Sequence, residues 1–203
     1  MEFSKYIVPI YADNDYRGNG FIVNSFLVFP YHLIKVNPNS WEVFPSFDFQ
    51  YEGNKYSMET AANIVCQGNQ IDVFLHPNLA RDLFVFQTVI LGSDLTLSSE
   101  YVVNDECEYC GYYKKNDTLI TERIPMGIVY QQRAVSNVYG RPVELENCMT
   151  CKCTLKPGNS GGLVYQGDNI IGMFIKDQCF PSSASQSIFI KTSYILQTIE
   201  NNT

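Results

Sequence analysis

At 203 residues, with 45% hydrophobic and 17% charged side chains, the chain is long enough for one or two small folding units, each with its own buried core. A net charge of −7 and a pI near 4.8 exclude a general nucleic-acid binder, which needs a basic face. No stretch approaches the run of about 18 apolar residues that a membrane-spanning helix requires, so an integral membrane protein is excluded at that level.

In chain order, Met1-Glu2-Phe3-Ser4-Lys5 carries neither a basic leader nor a long apolar stretch, so no secretory signal is predicted. The first strand is expected near residues 5–11, with Pro9 marking it as an edge. Two further strands near 19–24 and 26–31, joined by Asn24-Ser25, lead to His32. Strands are then expected near 41–50, 54–66, 69–75 and 83–91, followed by a Ser/Thr/Asp-rich linker at 93–100. The second half offers strands near 101–112, 124–131, 142–152, 162–166, 170–176 and 186–191. Thr192 to Asn201 spaces its apolar residues as a short closing helix capped by Ser193.

The most informative segment is Lys156-Pro157-Gly158-Asn159-Ser160-Gly161-Gly162, a serine in a glycine-flanked turn just before a hairpin. Such a string also occurs as an ordinary Gly-Ser turn. Read as chemistry, the glycines let a substrate carbonyl approach the N–H groups of Gly158 and Ser160, which would form an oxyanion hole beside a serine nucleophile. A serine nucleophile needs a base, and only two histidines are available. His76 sits in a Pro-Asn turn, whereas His32 ends an apolar hairpin, so His32 is the better candidate. Asp82 stands at the mouth of an apolar strand, where a buried carboxylate must find a donor such as an imidazole N–H.

Here the chain resembles the chymotrypsin-like (trypsin-like) serine peptidases of the Gly-Asn-Ser-Gly-Gly type. Gly18-Asn19-Gly20-Phe21 leading to His32 resembles the family's histidine hairpin, and His76-Pro77-Asn78 running into Asp82-Leu83-Phe84 resembles its aspartate segment. Cys110-Gly111-Tyr112-Tyr113 with Gly127-Ile128-Val129 is similar to the first hairpin of the second barrel, and Pro157 to Gly162 matches the nucleophile loop. The order His, Asp, Ser is the family's, while Pro30-Tyr31 departs from the small residues usual before the histidine.

The resemblance implies an all-β fold of two six-stranded antiparallel Greek-key barrels with a short C-terminal helix. It divides the chain into 1–92, a linker at 93–100, and 101–203. It implies a serine endopeptidase with His32, Asp82 and Ser160 in the cleft between barrels, oxyanion donors at Gly158 and Ser160, and no cofactor. Thr154 would lie at the base of the primary pocket, Ile175, Lys176 and Asp177 along one wall, and Ser187 at its back. The family's digestive branch pairs a freed N-terminal amine with an aspartate before the serine. Asn159 stands there in this chain, which predicts competence as translated.

Seven cysteines without a signal segment predict a reducing, cytoplasmic setting. Cys107/Cys110 and Cys148/Cys151 have zinc-knuckle spacing, but residues three apart on a strand face opposite ways, so buried free thiols are the simpler reading and no metal is expected. The resemblance places Cys153 and Cys179 near the two pocket walls that trypsins join by a disulfide, which implies that they lie close together even if reduced. The partner expected is a protein or peptide substrate, with narrow specificity or a regulatory protein that switches the site on. The alternative is a catalytically silent fold of this type acting as a protein-binding module.

Overall fold

The computed structural model describes residues 2–36, 42–60, 82–88, 95–138, 141–153, 155–178 and 186–201. Among the described residues the strands are β1 (Ile7–Ala12), β2 (Asp15–Val23), β3 (Phe26–Phe29), β4 (Ser46–Tyr51), β5 (Asn54–Glu59) and β6 (Phe84–Gln87) in the first half. The second half contributes β7 (Glu106–Lys115), β8 (Thr118–Val138), β9 (Arg141–Cys151), β10 (Leu163–Gln166), β11 (Asn169–Gln178) and β12 (Gln186–Lys191), closed by the helix α1 (Thr192–Glu200).

The expected all-β architecture of two antiparallel sheets is what the chain forms. Strands β7 to β12 close into a six-stranded barrel in the order β10-β11-β12-β9-β8-β7, while β1 to β6 form a half-barrel in the order β5-β4-β1-β2-β3-β6. The expected strand at 69–75 lies outside the described residues.

Hairpins follow local turn chemistry. Asn24 and Ser25 both take positive φ (48° and 67°), the two-residue turn whose twist matches the strands it joins. Two expectations need correction. Pro9 does not mark an edge, because β1 lies between β2 and β4; its missing N–H is tolerated since pairing with β4 begins only at Ile10. Ser193 does not cap the helix either: Lys191 is the N-cap and supplies no side-chain bond. The hydroxyl of Thr192 instead donates to the carbonyls of Ser98 and Ile171, tying the helix start to the inter-barrel segment and β11.

Strands β1, β3, β10 and β12 read as near-continuous apolar runs because both faces are buried. Ile22, Leu27 and Phe29 point into the first sheet's own core with Ile10 and Phe49. Their neighbours Phe21, Val23, Phe26 and Val28 point the other way, into a shared core with Leu163, Met173, Ile188 and Ile190 of the second barrel. Ile195 and Ile199, one turn apart on α1, complete that shared layer. The second barrel is filled by Tyr109, Met126, Val164, Phe174 and Phe189. Leu95 and Leu97 of the segment between the halves are buried in the shared core, and Ser98 N–H donates to Ile170 O at 3.0 Å, so the linker is packed rather than loose. This shared layer fixes the two sheets against each other, and the candidate site lies where they meet.

Candidate active site

His32 is delivered by the β2-β3 hairpin. After Phe29 the chain turns at Pro30 (φ −65°) into a 3-10 turn over Tyr31–Ile34, with Tyr31, Leu33 and Ile34 buried and the His32 side chain left about one-third exposed. The proline that departs from the family pattern thus presets the entry to this turn.

Asp82 arrives by register. Phe84 pairs with Phe29 on the adjacent strand, so the antiparallel ladder continued two residues brings Asp82 alongside the Tyr31-His32 turn. Its buried carboxylate accepts the His32 backbone N–H at 2.8 Å through Oδ1 and faces His32 Nδ1 at 2.5 Å through Oδ2. Facing a carboxylate, Nδ1 is the nitrogen that carries the proton of a neutral imidazole, which makes Nε2 the acceptor of that tautomer.

Ser160 comes from the second barrel, on the loop before β10, and the first barrel holds it. Its carbonyl accepts the Asn19 backbone N–H from β2 at 2.7 Å. Gly161 follows with φ +87°, and a Cβ there would stand 1.7 Å from Asn19 O, so only glycine allows β2 and the serine loop to come this close. The same missing Cβ would also meet Pro30 Cδ at 2.9 Å, which puts the serine loop directly against the entry to the His32 turn.

Successive peptides of the loop are pinned. Gly158 O accepts from Tyr16 OH at 2.8 Å, and Asn159 O accepts from Tyr109 OH at 2.8 Å. The Asn19 amide spans the set, with Nδ2 within 3.3 Å of the carbonyls of Gly158, Asn159 and Ser160, while Oδ1 accepts Tyr112 N–H at 2.7 Å. Because a trans peptide is planar, fixing Asn159 O turns the Ser160 N–H the opposite way. Among the described residues, neither Gly158 N–H nor Ser160 N–H meets an internal acceptor, and Gly158 holds φ +94°. These two donors flank Asn159, whose own N–H is bonded to Lys156 O at 3.1 Å. The Ser160 hydroxyl donates to Ile175 O at 2.8 Å, and among the described residues no hydrogen bond joins it to His32.

Beneath the loop lies Tyr109, fully buried. Its ring fills the space that side chains at Gly111 and Gly162 would occupy, with hypothetical Cβ positions 1.9 and 2.3 Å from the tyrosine. Burial pushes the Tyr109 phenol well above its ordinary range, and Tyr16 is raised for the same first cause, so both remain neutral donors.

The other sequence-predicted site residues divide as follows. Ile175 turns its side chain into the shared core and presents its carbonyl to Ser160. Ser187, fully buried on β12, donates to Cys153 O at 2.9 Å and ties that strand to the segment at the expected pocket base. Lys176 and Asp177 lie on β11 opposite Ile188 and Ser187 of β12. Thr154, Cys179 and His76 lie outside the described residues.

Cys107 and Cys151 face the barrel interior, whereas Cys110 and Cys148 face the shared core, so the Cys-x-x-Cys spacings do not gather four thiols. Among the described residues no three His, Cys, Asp or Glu side chains converge to hold a metal ion. None of the five described cysteines is in a disulfide.

Sequence reasoning missed Tyr16, Tyr109 and Glu122 and gave Asn19 no role. Asn19 was visible inside the Gly18-Asn19-Gly20 string, and a buried polar residue between glycines was the available signal. For Glu122 there was none: it meets the loop only through barrel closure, 37 residues before Asn159.

No protein-family model matches the chain, and no curated protein matches it in sequence. Solved structures match in fold. The Rv3671c protease of M. tuberculosis in its active form superposes with a TM-score of 0.64 at 11% identity, over 97% of this chain and 80% of that one. Catalytically active tobacco etch virus protease complexed with product gives 0.61 at 10% identity, over 97% and 79%. The HtrA-type protease AlgW with a decapeptide gives 0.64 at 13% identity, over 98% and 64%. At these identities the likeness establishes the fold, which is that of the chymotrypsin-like serine proteases.

Proposed function

We propose that this protein is a serine endopeptidase that cleaves peptide bonds through an acyl-enzyme. The observation that carries the reading is the two-point attachment of His32 to buried Asp82 on a turn packed against the Ser160 loop. Ser160 Oγ leaves Ile175 O by rotation about χ1, passes its proton to His32 Nε2 and attacks the scissile carbonyl. Asp82 holds the tautomer and stabilises the imidazolium that forms. The carbonyl oxygen, now negative, is received by the N–H groups of Gly158 and Ser160, where loss of one donor typically costs about 10²–10³ in turnover. The imidazolium then protonates the leaving amine, and water repeats the cycle on the ester.

Thr154, Ile175, Lys176, Asp177 and Ser187 form the primary pocket in this reading, with the Ile175 carbonyl rather than its side chain facing the reacting centre. Five described cysteines outside any disulfide support a reducing, cytoplasmic setting and a protein substrate met there, and the acidic net charge makes nucleic acid an unsuitable partner. Among the described residues no helix is long and apolar enough to cross a membrane.

One observation favours the alternative of a silent binding module: the Ser160 hydroxyl bonds to Ile175 O instead of His32. Incubating the wild type and Ser160→Ala with a diverse peptide library, read by mass spectrometry, separates the two. New termini with the wild type alone support the endopeptidase; an undigested library bound equally by both proteins supports the module.

A further inference from the structure

We infer that Glu122 is the positioning residue that sets the oxyanion donor of Gly158. This inference rests on the serine-peptidase reading above and deepens it.

Of the loop's peptides, those following Gly158, Asn159 and Ser160 have carbonyls held by Tyr16, by Tyr109 and by Asn19, in that order. The Pro157-Gly158 peptide, which carries the Gly158 N–H, has no such bond on its carbonyl among the described residues. Its orientation therefore depends on the residues flanking it, Lys156 and Asn159. Glu122 joins those two. From β8 its carboxylate receives Lys156 Nζ at 3.1 Å on Oε1 and Asn159 Nδ2 at 3.4 Å on Oε2.

The bracket is closed from inside. Lys156 N–H donates to Asn159 Oδ1 at 2.9 Å, and Asn159 N–H donates to Lys156 O at 3.1 Å. Asn159 is fully buried, and its two amide hydrogens go to Tyr109 OH and Glu122. Removing the carboxylate takes the acceptor from one hydrogen of a fully buried side chain, and the amide regains a protein partner by turning, which reorients the loop. Lys156 Nζ also lies 4.6 Å from the Tyr113 ring centroid, so the cation sits between β7 and β8 rather than reaching into the cleft. The Glu122 side chain is mostly buried and its carboxylate is engaged by Asn159 and Lys156, so it acts through those two residues and does not touch substrate.

The test uses a fluorophosphonate probe on the intact chain, with labelling rates measured across probe concentration to separate kinact from KI. Glu122→Ala is expected to lower kinact about 10²-fold, as loss of an oxyanion donor does, with KI within about threefold of wild type. Glu122→Gln, which keeps a hydrogen-bond acceptor and loses the charge, is expected to lower kinact about tenfold, and Lys156→Met to do the same. Wild-type kinact in Glu122→Gln and Lys156→Met overturns the inference, and these two near-isosteric changes decide it if Glu122→Ala does not fold by circular dichroism. A wild type that does not label at all contradicts the peptidase reading itself, a result distinct from one in which wild type and variants label alike.

Discussion

Tyr109 and Asn159 exchange two hydrogen bonds: the phenol donates to Asn159 O at 2.8 Å and accepts from Asn159 Nδ2 at 3.2 Å. Both residues are fully buried. The pair joins the floor of the second barrel to the loop that carries Ser160, and it explains the glycines at 111 and 162, whose missing side chains make room for the ring. Tyr109→Phe keeps the ring and removes the exchange, leaving one Asn159 amide hydrogen without its acceptor and Asn159 O with the Asn19 amide alone at 3.3 Å. The expected loss is about 1–3 kcal/mol in denaturant unfolding, with slowed fluorophosphonate labelling. Unchanged stability and labelling would contradict the role.

Gly161 and Gly167 separate close approach from conformation alone. Both take positive φ, but a Cβ at 161 would overlap Asn19 O at 1.7 Å, whereas nothing lies within 4 Å of one at 167. Gly167→Ala is expected to cost about 1–2 kcal/mol, the ordinary penalty of a side chain in the left-handed region. Gly161→Ala is expected to cost about 4 kcal/mol or more, or to prevent folding, because β2 and the serine loop must separate. Similar urea midpoints for the two variants would refute the close contact.

Alkaline pH should unfold the protein more steeply than its charge alone requires. Burial raises the phenols of Tyr16, Tyr31, Tyr109 and Tyr165 above their ordinary value of 10.0. In the unfolded chain these groups lose protons from about pH 10 while the folded chain retains them, so the stability they contribute is complete below pH 10 and falls as pH rises beyond it. Phenolate absorbance is expected to show a group of tyrosines that ionises only as the circular dichroism is lost. Reversible ionisation of all 14 tyrosines near pH 10 in a folded protein would contradict the burial.

The buried thiols should be silent in the folded state. Burial pushes the Cys148 thiol up to about 12 and raises Cys110, and Cys107 and Cys151 are equally enclosed. A thiol-reactive disulfide reagent at neutral pH is expected to spare these four of the seven cysteines until denaturant is added. Modification of Cys148 in the native protein, mapped by mass, would be inconsistent with the core described.

The sheet architecture and the hairpins around 24–25 and 167–168 were legible because they rest on local chemistry, namely turn residues between apolar runs. His32 and Asp82 were legible because each stands at the end of such a run, where the ladder from Phe29 to Phe84 brings them side by side. Pro9 was misread since a proline's missing N–H depends on where the neighbouring strand begins, which no single strand encodes. Ser193 was misread because Thr192 finds two carbonyls outside its own helix, a long-range outcome. Tyr109 and Glu122 were invisible for the same reason: their partners are supplied by barrel closure.

Fluorophosphonate labelling of the wild type beside Ser160→Ala and His32→Ala, read by intact mass and by mapping the modified peptide, decides whether Ser160 is a nucleophile activated by His32. One adduct per wild-type chain is expected, located on Ser160, and none on either variant. An unmodified wild type, or an adduct on another residue that survives Ser160→Ala, would contradict it.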